Sequence, residues 1–324
     1  MSMKLRNIIM LSIVALAAVA VSCKKEEETE TKPSLSGMYF QVIPYLRIGQ
    51  AVTVTPLEVT HPEGKGVGYY WMIDSGQRDT VKKENAAMPA SLSKTVSFTE
   101  QGTHTIYCAA FADGYYSATY SATVTVVDPE WGGMITENGL ENPSGFVVDT
   151  RASSPVENRY YYTHIGSLDW MMHNLAYTGS GVPYMESEVT SYPLGRYYTW
   201  EEAQTACPYG WRLPTMAEWK GLGTTAGDFM VDAKILGNKF WEFWPKVKIT
   251  NSLKLCVIPS GYAMTALSTK VFKGLGDYAA FWSSDTNPDN AEQGSYVYIY
   301  EQSAAVQYGN TDKSSVGFSV RCVR

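Results

Sequence analysis

Residues 207–219 read Cys-Pro-Tyr-Gly-Trp-Arg-Leu-Pro-Thr-Met-Ala-Glu-Trp and constrain local structure strongly. Pro208 and Gly210 end a preceding helix, because proline lacks the helical N–H donor and glycine tolerates the backbone of a turn. Thr215 is followed three residues later by Glu218, the spacing of a capping box, in which each side chain bonds the other residue's backbone N–H. This run therefore predicts the end of one helix, a turn and the start of a second helix.

The helix before this run has the same start signal. Thr199 is followed three residues later by Glu202, and Ala203 then contributes to a narrow apolar stripe. Glu202 and Glu218 could also be nominated as the paired carboxylates of a catalyst. The capping boxes account for both residues, so we expect them to fix helix starts, with Arg212 fixing the adjacent loop.

From residue 281 onward the pattern changes to strands, at 296–300, 304–308 and 317–323. Helices followed by strands predict an α+β domain. We expect this second domain to span residues 146–324.

Three tyrosines alternate with aliphatic residues in the first of these strands. Because successive side chains of a strand face opposite sides, Tyr296, Tyr298 and Tyr300 share one face, and the aliphatic residues between them face the core. The tyrosines, with Tyr308 as a further candidate, could form a surface on which a ligand stacks. Alternatively, they form a cross-strand aromatic ladder covered by the loop at 221–276.

Several runs resemble one known family in the order that this family requires. The runs are Ile165–Met171, Asn174-Leu175, Tyr198–Ala203, Cys207–Thr215, Glu218-Trp219, Phe281–Ser284 and Gly317–Val323. Together they resemble the Fibrobacter succinogenes major paralogous domain. That resemblance implies a variant of the C-type-lectin-like fold, in which the chain ends meet and a disulfide joins the first helix to the last strand.

Four cysteines, Cys108, Cys207, Cys256 and Cys322, allow three pairings if all are bridged, and their spacing does not choose among them. The resemblance implies a bridge between Cys207 and Cys322. We expect Cys256 to pack as a small apolar group. No cysteine or histidine spacing matches a structural zinc site.

Residues 35–128 show a different pattern, with short alternating runs separated by turn residues. This pattern predicts an all-β sandwich with strands at 69–73, 102–109 and 123–127. A high density of glycine and proline then marks residues 129–145 as a linker.

This first domain resembles immunoglobulin-like domains of the polycystic-kidney-disease-repeat type. Trp71 and Cys108 lie at positions similar to the central tryptophan and second cysteine of such a core. The first strand carries valines where the first cysteine would stand, so we expect Cys108 to be a buried thiol.

The N-terminus reads as an export signal. Residues 1–22 contain basic residues, an apolar run too short to span a bilayer, and then Ala20-Val21-Ser22 before Cys23. This arrangement resembles the lipobox of bacterial lipoproteins, which makes Cys23 the expected lipidation site. The alternative is an ordinary cleaved signal with Cys23 incidental.

The residues after Cys23 refine this expectation. Residues 24–33 contain no aliphatic or aromatic side chain and should form a flexible tether, so we assign residues 23–34 to a lipidated tether. Lysine followed by an acidic run resembles the export signal of surface lipoproteins in bacteroidete-type bacteria. We therefore expect an outer-membrane, lipid-anchored protein exposed at the cell surface.

Composition and site chemistry narrow the function. The net charge of −6 and the absence of a basic patch argue against nucleic acid. The run Asn287-Pro288-Asp289-Asn290 suggests one element of a lectin calcium site, but an exposed turn prefers the same residues, and we expect neither a metal nor a cofactor.

Two further functions stay open besides ligand binding. The run Trp211–Thr215 with Glu218-Trp219 is also similar to formylglycine-generating enzymes. These catalysts need two nearby reactive cysteines, so we expect no enzyme. We expect a non-enzymatic adhesion or ligand-binding module for a glycan or a protein. A structural subunit of a surface or fimbrial assembly is the alternative.

Overall fold

The computed structural model describes residues 32–76, 78–81, 92–127, 142–151, 159–235, 238–241, 247–266, 269–300 and 302–324. Within these ranges the chain is mostly β-sheet with a few short helices. The expected signal peptide, the lipidation site Cys23, and most of the tether and of the linker lie outside the described residues.

Within the described residues, seven strands form the N-terminal part. They are β1 (Tyr45–Arg47), β2 (Val52–Val54), β3 (Gly68–Ile73), β4 (Asp79–Val81), β5 (Lys94–Val96), β6 (Gly102–Phe111) and β7 (Ala118–Val127). One sheet has the order β1-β7-β6-β3-β4, in which β1 runs parallel to β7, and the second pairs β2 with β5. The strands predicted at 69–73 and 102–109 are confirmed, and the strand predicted at 123–127 begins earlier, at Ala118.

Trp71 and Cys108 are directly opposite each other on β3 and β6. Both are buried in one apolar cluster that also contains Val54. The Trp71 indole donates a hydrogen bond to the carbonyl of Leu92 (3.1 Å), which satisfies its polar atom inside the core. Cys108 is a buried thiol, as predicted, and burial raises its pKa to about 12.

The C-terminal part contains three short α-helices and thirteen strands within the described ranges. The helices are α1 (Ser191–Leu194), α2 (Trp200–Ala206) and α3 (Met216–Gly221). The strands are β8 (Gly145–Val148), β9 (Arg159–Ile165), β10 (Leu168–Met171), β11 (Val182–Pro183), β12 (Arg196–Tyr197), β13 (Lys234–Ile235), β14 (Asn238–Lys239), β15 (Ser260–Ala266), β16 (Thr269–Leu275), β17 (Tyr278–Thr286), β18 (Gln293–Tyr300), β19 (Gln307–Asp312) and β20 (Val316–Gly317).

A central sheet organises this part, in the order β16-β15-β17-β18-β19, with β20 paired to β15. Both faces of β17 are covered. Phe281 stacks on Trp219 of α3 (ring centroids 5.5 Å apart), while Trp282 lies in a separate buried cluster with Ala203 of α2. The helices therefore lie on opposite faces of the sheet.

Both predicted capping boxes are present. Thr199 and Glu202 begin α2, and Thr215 and Glu218 begin α3, each pair with reciprocal side-chain to backbone hydrogen bonds. These bonds satisfy N–H groups that a helix start otherwise leaves without partners.

Two strand predictions and one loop prediction need correction. The strand expected at 304–308 lies instead at 307–312, because the N–H of Val306 donates to the carbonyl of Thr224 and the carbonyl of Ala304 accepts from the N–H of Ala226. The last strand, expected at 317–323, is reduced to β20 followed by isolated bridges. The segment 221–276, expected to be a loop, contains β13 to β16.

The predicted disulfide joins Cys207 to Cys322, with the two Cα atoms 5.9 Å apart and a sequence separation of 115. The chain end is held close by. The backbone N–H of Asp169 donates to the carbonyl of Arg324 (2.9 Å), and the N–H of Arg324 donates to the carbonyl of Asp169 (3.1 Å). The last residues thus pair with β10.

Candidate functional site

A cleft of about 390 Å³ opens on one face of the central sheet. Its lining is largely aromatic and consists of Tyr262, Gly274, Asp277, Tyr278, Tyr296, Tyr300, Thr311, Val316 and Phe318. The volume lies in the range of sites that hold a small molecule or a single side chain.

Strand β18 supplies the predicted tyrosine face. Tyr296, Tyr298 and Tyr300 are half-buried, whereas Val297 and Ile299 between them are each 1% exposed and lie in the opposite cluster. This alternation follows from the two-residue period of a strand. Tyr296 and Tyr300 line the cleft.

Tyr298 lies beside the cleft and extends its aromatic surface. Its ring stacks on that of Tyr278 (centroids 5.2 Å apart) and lies close to that of Tyr296 (5.6 Å). It is not among the residues that line the cleft.

Tyr308 does not join the other three tyrosines. It lies opposite Val297 in the register of β18 and β19, and its ring packs against the cluster that contains Trp219. Because directly opposed residues share a face, Tyr308 belongs to the face of Val297. Tyr308 is therefore not part of the surface on which the sequence analysis placed it with the other three tyrosines.

The tyrosine face contains both a ladder of packed rings and an open cleft. The rings form a ladder, since Tyr278 contacts Tyr262, Tyr298 and Tyr300, and Tyr262 belongs to the segment expected to cover them. The ladder nevertheless leaves the cleft open, with Tyr296 and Tyr300 on its wall. Burial raises the pKa of Tyr278 and of Tyr296, so both hydroxyls stay protonated at neutral pH.

Asp277 is the acidic residue of the cleft, and sequence reasoning missed it. Its backbone N–H donates to the carbonyl of Gly274 (3.3 Å), and Gly274 and Gly276 both have positive φ, which allows the tight turn before β17. The Asp277 Oδ1 atom is buried, and no described residue hydrogen bonds to it. Burial raises the pKa of this carboxyl group. The glycine-rich turn at 274–276 was the available sequence signal.

A buried polar network supports the sheet from the other side. The Arg321 guanidinium is 1% exposed and donates to the Asn174 side-chain oxygen (2.7 Å) and to the carbonyl of Met171 (3.0 Å). Its remaining partners are the carbonyls of Leu255 and Cys256. Burial lowers the pKa of Arg321 to about 9. These are structural contacts that hold three distant segments together.

Cys256 is buried in an apolar cluster, as expected, and it also forms hydrogen bonds. The Asn251 amide donates to its sulfur (3.4 Å), and its own backbone N–H donates to the Asn251 side-chain oxygen (3.0 Å). Burial raises the pKa of the thiol.

The carboxylates nominated from sequence are engaged in local structure. Arg212 donates two hydrogen bonds to Glu218 (2.9 and 2.6 Å), and Glu218 also accepts from the backbone N–H of Thr215. The hydrogen bond from Arg212 is the main reason that the pKa of Glu218 falls to about 2. Glu202 accepts from Thr199 in the same way.

In the turn at 287–290, side-chain oxygen atoms accept hydrogen bonds from nearby backbone N–H groups. The Asn287 side-chain oxygen accepts from the N–H of Asp289 (3.1 Å), and the Asn290 side-chain oxygen accepts from the N–H of Glu292 (3.1 Å). Asn310 lies within β19 and accepts from the hydroxyl of Ser295. Across the described ranges, no group of three or more His, Cys, Asp or Glu side chains is placed to hold a metal ion.

A family model, that of the Fibrobacter succinogenes major domain, matches residues 163–324. The chain belongs to this family. The Fibrobacter succinogenes major domain here includes both capping boxes, the disulfide and every residue of the cleft. Strand β8 precedes the match but pairs with β9, so the sheet continues upstream of it. No curated protein matches the chain.

None of the helices in the described ranges has both the length and the apolar character that crossing a bilayer requires.

Proposed function

We propose that this protein is a lipoprotein of the outer membrane, displayed at the cell surface, that binds a ligand in the aromatic cleft without catalysing a reaction. The cleft itself is the observation that supports ligand binding. Several tyrosines converge on one concave surface, where their rings offer apolar faces and their hydroxyls offer hydrogen bonds. A glycan or a protein side chain both fit this chemistry.

The absence of catalysis is part of the proposal. A formylglycine-generating mechanism needs a reactive cysteine pair, and Cys322 is held in the disulfide with Cys207. The Cys256 thiol is buried with a raised pKa, which lowers the thiolate fraction that a nucleophile requires.

The N-terminal part would act as an immunoglobulin-like spacer between the membrane and the cleft. Its strand order β1-β7-β6-β3-β4 beside a second sheet of β2 and β5, with Trp71 opposite Cys108, supports this proposal. The C-terminal part would be a variant of the C-type-lectin-like fold, supported by the disulfide and by the pairing of the chain end with β10.

A structural subunit of a surface or fimbrial assembly is the second candidate. Strands β1 and β4 lie at the edges of the N-terminal sheet and could pair with another chain. Each has only three residues, which limits the hydrogen bonds that such pairing would add.

The test is an array of glycans and host surface proteins probed with residues 24–324, which retain all the described residues. We expect at least one specific ligand, and we expect Tyr300→Ala to weaken its binding at least fivefold because the substitution removes one wall of the cleft. Tyr209→Ala is the matched control, since Tyr209 is fully exposed and lies outside the cleft. A ligand that binds both variants equally well, with the fold intact, would rule out the cleft as its site.

A further inference from the structure

The charge of the cleft identifies a class of ligand more narrowly than its aromatic character does. Asp277 brings a carboxylate to a wall that is otherwise aromatic, apolar or hydroxyl-bearing. None of the described residues that line the cleft is basic. The cleft therefore carries a negative charge that the protein does not neutralise within it.

The carboxylate of Asp277 is also incompletely solvated. Its Oδ1 atom is buried, and among the described residues it has no hydrogen-bond partner. A buried charge without a partner costs free energy, and a bound cation would recover that cost. Lys273, the cross-strand neighbour of Tyr262, is exposed and forms no ion pair with Asp277.

The tyrosine rings of the cleft are uncovered by basic side chains, in contrast to aromatic rings elsewhere in the protein. Arg151 lies over Tyr177 (4.1 Å to the ring centroid), Arg324 over Tyr162 (4.8 Å) and Lys313 over Trp200 (4.1 Å). Of the described basic side chains, none lies over a tyrosine of the cleft. The cleft tyrosines therefore carry no internal cation, and the rings of Tyr296 and Tyr300 border the open volume that an external cation could enter.

We propose that the cleft binds an organic cation of the alkylammonium or guanidinium class, with Asp277 as its counter-charge and the tyrosine rings as its walls. This inference rests on the proposed function and specifies the ligand of the same cleft. An organic cation satisfies both features at once, because its charge pairs with the carboxylate while its alkyl or planar surface packs on the rings. A neutral sugar would stack on the rings but leave the charge of Asp277 uncompensated.

Calorimetric titration of the purified protein at low ionic strength tests this proposal. The probes are N-acetyl-lysine methylamide, N-acetyl-arginine methylamide, phosphocholine and tetramethylammonium, with methyl glucoside as the neutral comparison and sodium chloride as the inorganic cation. We expect at least one organic cation to bind, and we expect Asp277→Asn to weaken that binding at least tenfold. Asp289→Asn, an equal change of charge at an exposed turn, should leave it within twofold.

The outcomes separate this inference from the proposed function. Preference for the amino-acid probes indicates a protein ligand, and preference for phosphocholine indicates a lipid or glycan headgroup; either result supports the cation site. Binding of methyl glucoside with no binding of any organic cation would overturn the inference and leave ligand capture standing. If no probe binds and the array ligands are insensitive to Asp277→Asn and Tyr300→Ala, both proposals fail.

A folding control keeps the test decisive. Because Asp277→Asn removes a charge whose Oδ1 atom is buried and has no hydrogen-bond partner among the described residues, the melting temperature of this variant should equal or exceed that of the parent protein. If this variant fails to fold, Asp277 serves the turn instead and the assignment of a counter-charge is overturned. Tyr300→Ala then still tests whether the array ligands use the cleft.

Discussion

Glu218 illustrates how one side chain can serve two neighbouring elements. It accepts the backbone N–H of Thr215 within the capping box, and it accepts two hydrogen bonds from Arg212, which belongs to the turn before α3. The carboxylate therefore connects the turn to the helix. This explains why a catalytic role is not needed to account for either charged residue.

We predict that Glu218→Gln lowers the free energy of unfolding by about 1 kcal/mol at pH 7, a modest value because Arg212 is half exposed and its charge is screened. The folded-state pKa of Glu218, about 2, lies below its ordinary value of 4.5. The contribution is therefore complete above pH 4.5 and is lost as the pH falls from 4.5 to about 2.

Urea unfolding at pH 7 and at pH 2.5 measures this effect. The difference between the two proteins should shrink at the lower pH. Glu201→Gln, at an exposed position in the first turn of α2, is the control and should cost little at either pH. An undiminished difference at pH 2.5 would show that the ionised form of Glu218 is not what stabilises the turn.

Residues whose roles depend on distant contacts could not be predicted. The capping residues were found because their partners lie three positions away in sequence. Arg321, by contrast, bonds to Asn174, 147 positions earlier, and to the carbonyl of Leu255, 66 positions earlier. No local spacing indicates such a set of partners. Asp277 was missed for the same reason, since the cleft exists only after β15, β17 and β18 pair.

At the scale of elements, α2 and α3 are too short to be stable alone, with seven and six residues. Their capping hydrogen bonds and their packing must therefore supply the stability that helix propensity does not. Trp219 places its ring between Trp170 (4.9 Å between centroids) and Phe281 (5.5 Å), so α3 is held at its N-terminus by the cap and along its length by one large side chain.

We predict that Thr215→Ala lowers the free energy of unfolding by about 1 kcal/mol, because the N–H of Glu218 loses its side-chain acceptor. Thermal melting followed by circular dichroism measures the loss. Thr205→Ala is the matched control, because Thr205 is exposed inside α2 and alanine is the better helix former there. Equal losses in the two variants would contradict a specific role for the cap.

Strands were predicted correctly where side chains alternate between core and solvent. They were misplaced where backbone pairing with a distant segment determines where a strand begins and ends. The alternation in β18, the run of β6 and the last residues of β7, at 123–127, were visible in the sequence. Strand β19 was placed three residues early, because Val306 suggested a strand whereas its backbone bonds to Thr224. The polar run Asn310–Asp312 continues as a strand because β19 is at the edge of the sheet, where polar side chains meet solvent.

At the scale of the whole molecule, the two parts meet through a small set of contacts. The backbone N–H of Tyr45 donates to the hydroxyl of Ser187 (3.3 Å), the Tyr45 ring lies 6.0 Å from that of Tyr184, and Val127 packs with Val189. These contacts join β1 and the end of β7 to the segment before α1.

We predict that replacing Cys207 and Cys322 together by alanine lowers the free energy of unfolding by about 4 kcal/mol, since the bridge closes a long loop in the unfolded chain. Chemical denaturation of the variant and of the parent protein, each with and without reductant, measures this. Reductant should bring the parent protein to the stability of the variant and leave the variant unchanged. A parent protein indifferent to reductant would show that the bridge does not form in solution.

We also predict that Cys23→Ser abolishes incorporation of radiolabelled palmitate and releases the protein from the membrane fraction. The expected reason is that only a cysteine thiol at the cleavage point can accept the lipid. Protease treatment of intact cells should degrade the parent protein, whereas degradation only after lysis would contradict surface display. Label retained by the Cys23→Ser variant would show that another residue is the acceptor.

The covalent ring closed by Cys207 and Cys322 also determines how the C-terminal part would respond to mechanical force. All residues of the cleft, from Tyr262 to Phe318, lie inside this ring. Tension applied by a tethered ligand would divide between both arms of the ring before reaching Cys207, and the shorter arm would limit extension. Without the disulfide, the same force could extend the unfolded chain by up to roughly 400 Å. If the protein binds a ligand at the cell surface, as we propose, the disulfide would keep the bound particle close to the cell under flow.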